Sequence, residues 1–353
     1  MSPGTPNQAW VRCVPVKVDG IVMGTDLGEI ARRARALEDL GYDGLLTAEI
    51  THDPFLPLVV AAEHTERVVL GTSIAVAFAR NPMTLANIGY DLQTYSRGRF
   101  RLGLGSQIKP HIEKRFSMPW SRPAARMREM VLAMRAIWRC WNEGEPLAFR
   151  GEFYRHTLMT PMFDPGPNPH GDPLVLIAAV GELMTEVAGE VADGIILHGF
   201  TTERYIREVT LPALERGLAK AGRSRAEFEV SGPLFVVTGT TEEAMTASAR
   251  AAKQQIAFYG STPAYRPVLE LHGWGDLQDE LNRLSKRGEW VKMGEIVDDE
   301  VLHTFAVVAE PEQVAARVKA RYGGLVDRIL FSPPGDRDPE RFAEALAQLH
   351  DQP

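Results

Sequence analysis

Short, densely apolar runs alternate along this chain with longer segments whose apolar positions recur at helical spacing. The runs fall at 10–18, 43–49 (DGLLTAE), 68–77 (VVLGTSIAVA), 100–107, 174–180 (LVLIAAV), 194–200 (GIILHGF), 228–238 and 327–331 (DRILF). Most show no polar alternation, as expected of strands buried on both faces. Between the first two, Leu27, Ile30, Ala34, Leu37 and Leu40 repeat at helical spacing. Asp26 and Glu29 open that helix as a capping box, and Gly41 ends it as the residue after the C-cap. Further helices are predicted from Pro54 onward and over 82–95, 123–141, 182–192, 203–221, 241–258, 311–322 and 339–349. In the third of these, Met127, Met130, Met134, Ile137, Trp138 and Trp141 form an apolar stripe that belongs in a core.

Eight strands alternating with helices predict a parallel α/β fold, and eight is the number that closes a (β/α)8 TIM barrel. An open doubly wound sheet would carry phosphate-binding glycines in its first βα turn, where this chain has only Asp19-Gly20 after Val18. The expected organisation is one domain over 1–353 with two insertions, at about 142–173 and 259–305. The first holds a hairpin-like FRGEFY around Gly151 and then a loop rich in Pro and Gly. The second, with Tyr259, Tyr265, Trp274 and Trp290 behind Phe258, reads equally as a lid or as a subunit contact.

Composition narrows the function. A net charge of −7 over 353 residues argues against a nucleic-acid surface, which needs a concentrated basic face. No run approaches the length of a membrane span, and the N-terminus lacks the pattern of a secretory signal. Cys13 and Cys140 are far apart and form no CxxC pair, which fits a reducing cytoplasm.

In a barrel the site lies where strands end. Those positions hold Thr47, Ala48 and Glu49; Thr72, Ser73 and Ile74; Ser106, Gln107 and His111; Ala179, Val180 and Gly181; and His198. No HxH or HExxH occurs, so no metal is expected. Gly103-Leu104-Gly105 lacks the third glycine of a dinucleotide fingerprint, but neither glycine carries a Cβ, so backbone or a flat ligand can come close. Lys17 and Lys109 read as solvated lysines. Ala178, Ala179 and Gly181 run straight into a helix, which is either tight strand–helix packing or a phosphate seat; Glu182 in the first turn would compete with an anion.

With these positions in view, the chain resembles the luciferase-like barrel oxidoreductases, in the branch that uses the deazaflavin coenzyme F420. The resemblance rests on LGYDGLLTAEITHDPFLPLVVAAEHTERVVLGTSIAVAF, SRGRFRLGLGSQIKPHIEKRF, PWSRPAARMREMVLAMRAIW, GEFYRHTLMTP and AAVGELMTEVAGEVADGIILH, colinear from about 40 to 200. It implies a deazaflavin ring in the barrel mouth and a non-prolyl cis peptide within Thr72-Ser73-Ile74 behind it. Ala48, Ile74 and Ala178 would wall the ring, and Thr47, Gln107 and His111 would meet its polar edge. The phosphate would rest on Val180 and Gly181 beside Ala179 and His198, with Lys109, Lys114, Arg115 or Arg204 facing the anionic tail. Relatives carry an acid followed directly by histidine after strand two; here Ile50 follows Glu49 and the histidine is His52.

The implied reaction is hydride transfer between F420 and a small organic substrate, a carbonyl/alcohol pair or a conjugated alkene. His52 or His111 would donate the proton, with Glu49 orienting. An FMNH2-dependent monooxygenase and a non-catalytic flavin- or deazaflavin-binding barrel are the competing expectations. Family members are often homodimers, which is the expected partner besides the substrate.

Overall fold

In a computed structural model, which describes residues 16–24, 26–331 and 343–350, eight parallel strands close into a ring. They are β1 (Lys17–Ile21), β2 (Gly44–Thr47), β3 (Val69–Thr72), β4 (Phe100–Gly105), β5 (Leu174–Ala179), β6 (Gly194–Leu197), β7 (Glu229–Pro233) and β8 (Arg328–Leu330). Their order is β3-β2-β1-β8-β7-β6-β5-β4, and β4 pairs back onto β3 through Leu70↔Phe100 and Gly71↔Arg101. This is the (β/α)8 barrel that the apolar pattern predicts. Around it, in chain order, lie α1 (Leu27–Asp39), α2 (Leu56–His64), α3 (Pro82–Tyr95), α4 (Pro123–Glu143), α5 (Glu182–Val191) and α6 (Leu211–Lys220). The α4 stripe is wholly buried, and Asp26 caps α1 by accepting from the Gly28 and Glu29 amides.

One device, used at three of the turns entering strands, fixes the register at the bottom of the ring. Asp43, Asp193 and Asp327 each precede a strand and accept, through a carboxylate oxygen, the amide of a residue on the neighbouring strand: Val18 at 2.8 Å, Val175 at 2.7 Å and Val230 at 2.7 Å. Above them the barrel interior holds a charged layer. Arg328 donates through Nε to Asp19 at 2.9 Å, and Arg101 pairs with Glu229. Such pairs survive burial only because each charge meets its opposite in the interior.

Several elements differ from the sequence reading. The run 68–77 is not one strand: β3 stops at Thr72, and Ala75–Val76 pairs separately with β4. Strand four ends at Gly105 and strand six at Leu197, short of the expected Gln107 and Phe200. The run 228–238 splits at Pro233, which offers no amide to a ladder; Phe235–Val237 leaves the barrel and pairs in parallel with Ala306–Val308. That small ribbon carries a helical cap: α7 (Glu242–Gly260), α8 (Arg266–Leu271), α9 (Gly275–Lys286), α10 (Trp290–Glu295) and α11 (Asp299–Phe305). The cap has its own hydrophobic cluster, including Ile256, Leu269, Leu281, Met293 and Phe305, joined to the barrel through Phe200 and Phe235. α12 (Pro311–Tyr322) and α13 (Ala343–His350) complete the ring. The start of the first expected strand, 10–15, and of the last expected helix, 339–342, lies outside the described residues.

Candidate active site

The barrel's upper rim is built around the break after β3. The Ser73–Ile74 peptide is cis, at the position the family resemblance implies. The Ser73 amide donates to the Thr47 carbonyl at 2.6 Å, and the Glu49 amide donates to the Ile74 carbonyl at 3.0 Å, so the exits of β2 and β3 are tied together. The Glu49 carboxylate completes the tie: Oε2 accepts from the Val76 amide at 2.7 Å and from Arg80 Nη1 at 2.6 Å. Arg80 also reaches Asp53 at 3.3 Å and lies over the Phe55 ring. Glu49 therefore stands in a positioning network. His52, on the loop this network anchors, is exposed.

Three sequence-selected groups are engaged with the protein. Thr47 Oγ1 donates to the Pro54 carbonyl at 2.7 Å, and Thr72 Oγ1 donates to the Gly103 carbonyl at 2.7 Å while accepting the Gly103 amide. Both threonines are buried, and their hydroxyls fasten backbone. The Gln107 side chain accepts its neighbour's amide, from Ile108, at 3.0 Å. The glycines of β4 are explained by crowding. A Cβ on Gly103 would collide with the Thr72 carbonyl oxygen, and one on Gly105 would lie 2.7 Å from Ile74 Cδ1. Gly105 thus makes room for Ile74, whose side chain stays partly accessible at the mouth, as do Ala48 and Ala178.

Beyond β4 the chain turns sharply, with Gln107 at φ 59°, and enters a π-helical turn at His111–Arg115. Single π turns recur at functional sites because they re-aim side chains. Arg115 donates to the Ile50 carbonyl at 2.6 Å, joining this turn to the loop after β2. Lys109, which faces Glu113 at 3.8 Å, His111 and Lys114 stand at the exposed rim, whereas Lys17 lies at the opposite end of the barrel, beside Asp43 and Asp327. Arg204 is engaged with Glu208 at 3.0 Å and with the Leu271 carbonyl at 2.9 Å.

At β5 the strand feeds α5 through Val180 and Gly181, and no side chain caps the helix start. The position where a Gly181 Cβ would sit is open space, so its glycine answers no packing need. Glu182 does not compete for that space; it pairs with Arg216 at 2.7 Å. Ala179 is buried beside it, and the Val180 carbonyl accepts from the Tyr205 hydroxyl at 3.4 Å.

His198, just beyond β6, is the most enclosed histidine of the rim, although one edge stays accessible. Nδ1 accepts the Phe200 amide at 3.0 Å, which assigns the ring hydrogen to Nε2. Burial pushes its pKa down from 6.5 to about 4, so the ring is neutral near pH 7. Tyr259 packs edge-on at 4.6 Å between centroids and Tyr265 at 4.7 Å. These two tyrosines, and Arg80, escape selection from sequence. The tyrosines sit in the insertion marked for its aromatics, but nothing in one dimension pairs them with His198; Arg80 gives no signal at all. Among the described residues, no group of three or more His, Cys, Asp or Glu is placed to hold a metal, and no helix is long and apolar enough to cross a membrane.

Comparison with known proteins bears on this rim. The profile of the luciferase-like monooxygenase family matches residues 12–328. The uncharacterized protein Rv1360 of Mycobacterium tuberculosis is 59% identical over 315 residues, covering 89% of this chain and 92% of that protein. The 5,10-methylenetetrahydromethanopterin reductase of Archaeoglobus fulgidus is 25% identical, covering 91% of this chain and 94% of its own. Among solved structures, the coenzyme F420-dependent tetrahydromethanopterin reductase from Methanopyrus kandleri superposes with TM-score 0.76 at 20% identity, covering 96% and 98%. An F420-dependent secondary alcohol dehydrogenase, solved with an F420–acetone adduct, follows at 0.74 and 14%, covering 96% and 100%. The FMN-bound oxygenating constituent of 3,6-diketocamphane monooxygenase from Pseudomonas putida gives 0.66 and 16%, covering 96% and 97%.

Proposed function

This chain belongs to the luciferase-like monooxygenase family, and from that premise we propose that it is an F420-dependent oxidoreductase acting on a small carbonyl/alcohol pair or conjugated alkene. The observation that supports the cofactor is kinship: the putative coenzyme F420-dependent oxidoreductase Rv3520c of Mycobacterium tuberculosis is 29% identical along 80% of the chain, and the barrel is the fold of the F420-dependent reductase. The rim fits such a group. Ile74, Ala48 and Ala178 offer a small, partly accessible apolar wall for a flat ring, with Ser73, Thr72 and Thr47 holding the backbone behind it. The uncapped start of α5, with open space over Gly181, suits a phosphate.

When bound, F420 supplies a carbon that accepts or releases a hydride, and it lacks the ring nitrogen on which flavins activate oxygen. This chain's part is to orient and to exclude water. Glu49 and Arg80 hold the loop that carries His52. Lys114 at the rim, with Lys109 once it leaves Glu113, adds positive charge against an anionic tail. His52 or His111, both at the exposed edge, delivers the proton to the substrate. Barrel and cap act as one unit over 1–353, working in the cytoplasm, and a second copy of the chain is the expected protein partner.

Anaerobic mixing of the protein with reduced F420 and a panel of ketones and conjugated enones tests the reading. Return of oxidised cofactor with at least one acceptor is expected. Oxygen consumption with FMNH2 and no turnover with F420 would favour the monooxygenase reading. Tight F420 binding without turnover of any acceptor would favour a cofactor store.

A further inference from the structure

The cap reaches the rim at one place. Tyr259, near the end of α7, and Tyr265, just before α8, enclose His198 in a triangle of rings, with 6.5 Å between the two tyrosine centroids. Phe200, stacked on Phe305 at 4.6 Å and on Tyr265 at 5.9 Å, anchors the triangle to the cap's own core. Each ring brings a hydrogen-bond donor. His198 Nε2–H and the Tyr265 hydroxyl have no partner among the described residues. The Tyr259 hydroxyl accepts from Gln255 Nε2 at 3.2 Å, which leaves its own hydrogen to donate.

Apolar and aromatic side chains surround these groups: Phe200 stacks on Tyr265, and Phe235 and Phe258 lie against Tyr259. Burial alone lowers His198; burial, with Tyr259 beside it, pushes Tyr265 up to about 12. Three neutral donors set among apolar rings suit an oxygen atom that is not ionised, because an anion left here would lose its hydration without gaining a counter-charge. Next to the triangle, Phe258 (54% exposed) and Trp290 (47%) lie 6.2 Å apart, an apolar shelf on the cap surface that the protein leaves uncovered.

We propose that Tyr259 and Tyr265, with His198, form the substrate's oxygen-binding subsite, and that the substrate is an uncharged ketone or alcohol whose apolar body lies against Phe258 and Trp290. This deepens the proposed function and rests on it. It draws two of the three oxygen-binding groups from the cap and the third, His198, from the barrel rim.

The test uses acetophenone as a neutral probe and benzoylformate as its charged counterpart. Binding of each to the full chain is read by calorimetry, with and without oxidised F420, for the wild type and for Tyr259→Phe and Tyr265→Phe. Phenylalanine keeps the ring, so folding is retained and only the hydroxyl is lost. The expected result is acetophenone binding preferred over benzoylformate, weakened about threefold to tenfold in each variant, as for one lost neutral hydrogen bond. F420 affinity is expected to be unchanged by either substitution. Unaltered acetophenone binding in both variants would overturn the proposal, as would preference for benzoylformate or failure of the wild type to bind acetophenone. Should the wild type bind acetophenone through the tyrosines yet not bind F420, the subsite stands and the cofactor reading falls.

Discussion

At the scale of single residues, His198 shows how burial and one backbone bond set a chemical state. With Nδ1 held by the Phe200 amide and its pKa lowered from 6.5 to about 4, the ring enters the fold neutral. The unfolded chain binds a proton there below pH 6.5 and the folded chain does not, so stability falls as pH drops from 6.5 towards 4. The loss attributable to this residue is expected to be on the order of 2 kcal/mol by pH 5. Urea denaturation of the wild type and of His198→Asn, at pH 7 and at pH 5, measures it as the excess loss in the wild type; equal losses would show that the ring titrates normally. The sequence marks His198 as a strand-end residue, but its protonation depends on Tyr259 and Tyr265, which arrive from more than 60 residues away.

At the scale of elements, what repeats is legible and what pairs across the fold is not. The apolar runs locate seven of the barrel strands and only the start of β1, which runs on through Asp19 and Gly20, expected as its turn, to Ile21; Asp26 and Gly41 bracket α1 as their chemistry requires, with Gly41 at φ 95°. Strand ends were harder to see. Ile74 and Ala75 continue an apolar run, yet the chain leaves the ladder at Thr72, because the exits of β2 and β3 bind each other there. The charged interior layer was invisible. Asp19, Arg101, Glu229 and Arg328 each look like solvent-facing positions until the closed ring brings them together. Beyond α7, the cap was masked by its own punctuation: Pro263, Pro267, Gly273 and Gly288 cut it into short helices that never accumulate a long periodic stripe. Its Leu269, Leu281, Met293 and Phe305 nevertheless make a true second cluster.

At the scale of the whole molecule, α2 stands out. Its sequence, LPLVVAAEH, is apolar around the whole circumference, whereas only one side of it meets the barrel. Leu56 (60% exposed) and Val59 (42%) are left bare, and Val59 lines a surface hollow with Ile88, Tyr95 and three prolines of the 165–169 loop. A second copy of the chain, meeting this face through a twofold axis, would cover it with the same surface. If the proposed dimer forms through this face, Val59→Glu weakens association at least tenfold by sedimentation equilibrium. A wild type that is monomeric at high concentration, or a variant that associates as before, would remove the α2 face as the interface.

The proposed seat for an anionic deazaflavin, with its phosphate on the start of α5, is tested most directly at Gly181. Aspartate there suits the extended backbone (φ −80°, ψ 153°) and can cap the helix, adding a few tenths of a kcal/mol to stability. The same carboxylate would occupy the phosphate seat. Fluorescence titration of oxidised F420 into the wild type and Gly181→Asp is the measurement. The expected outcome is tight binding to the wild type, affinity at least tenfold lower in the variant, and a melting temperature no lower than that of the wild type. Equal F420 affinity in the two proteins, or no binding to either, would remove the start of α5 as the phosphate seat.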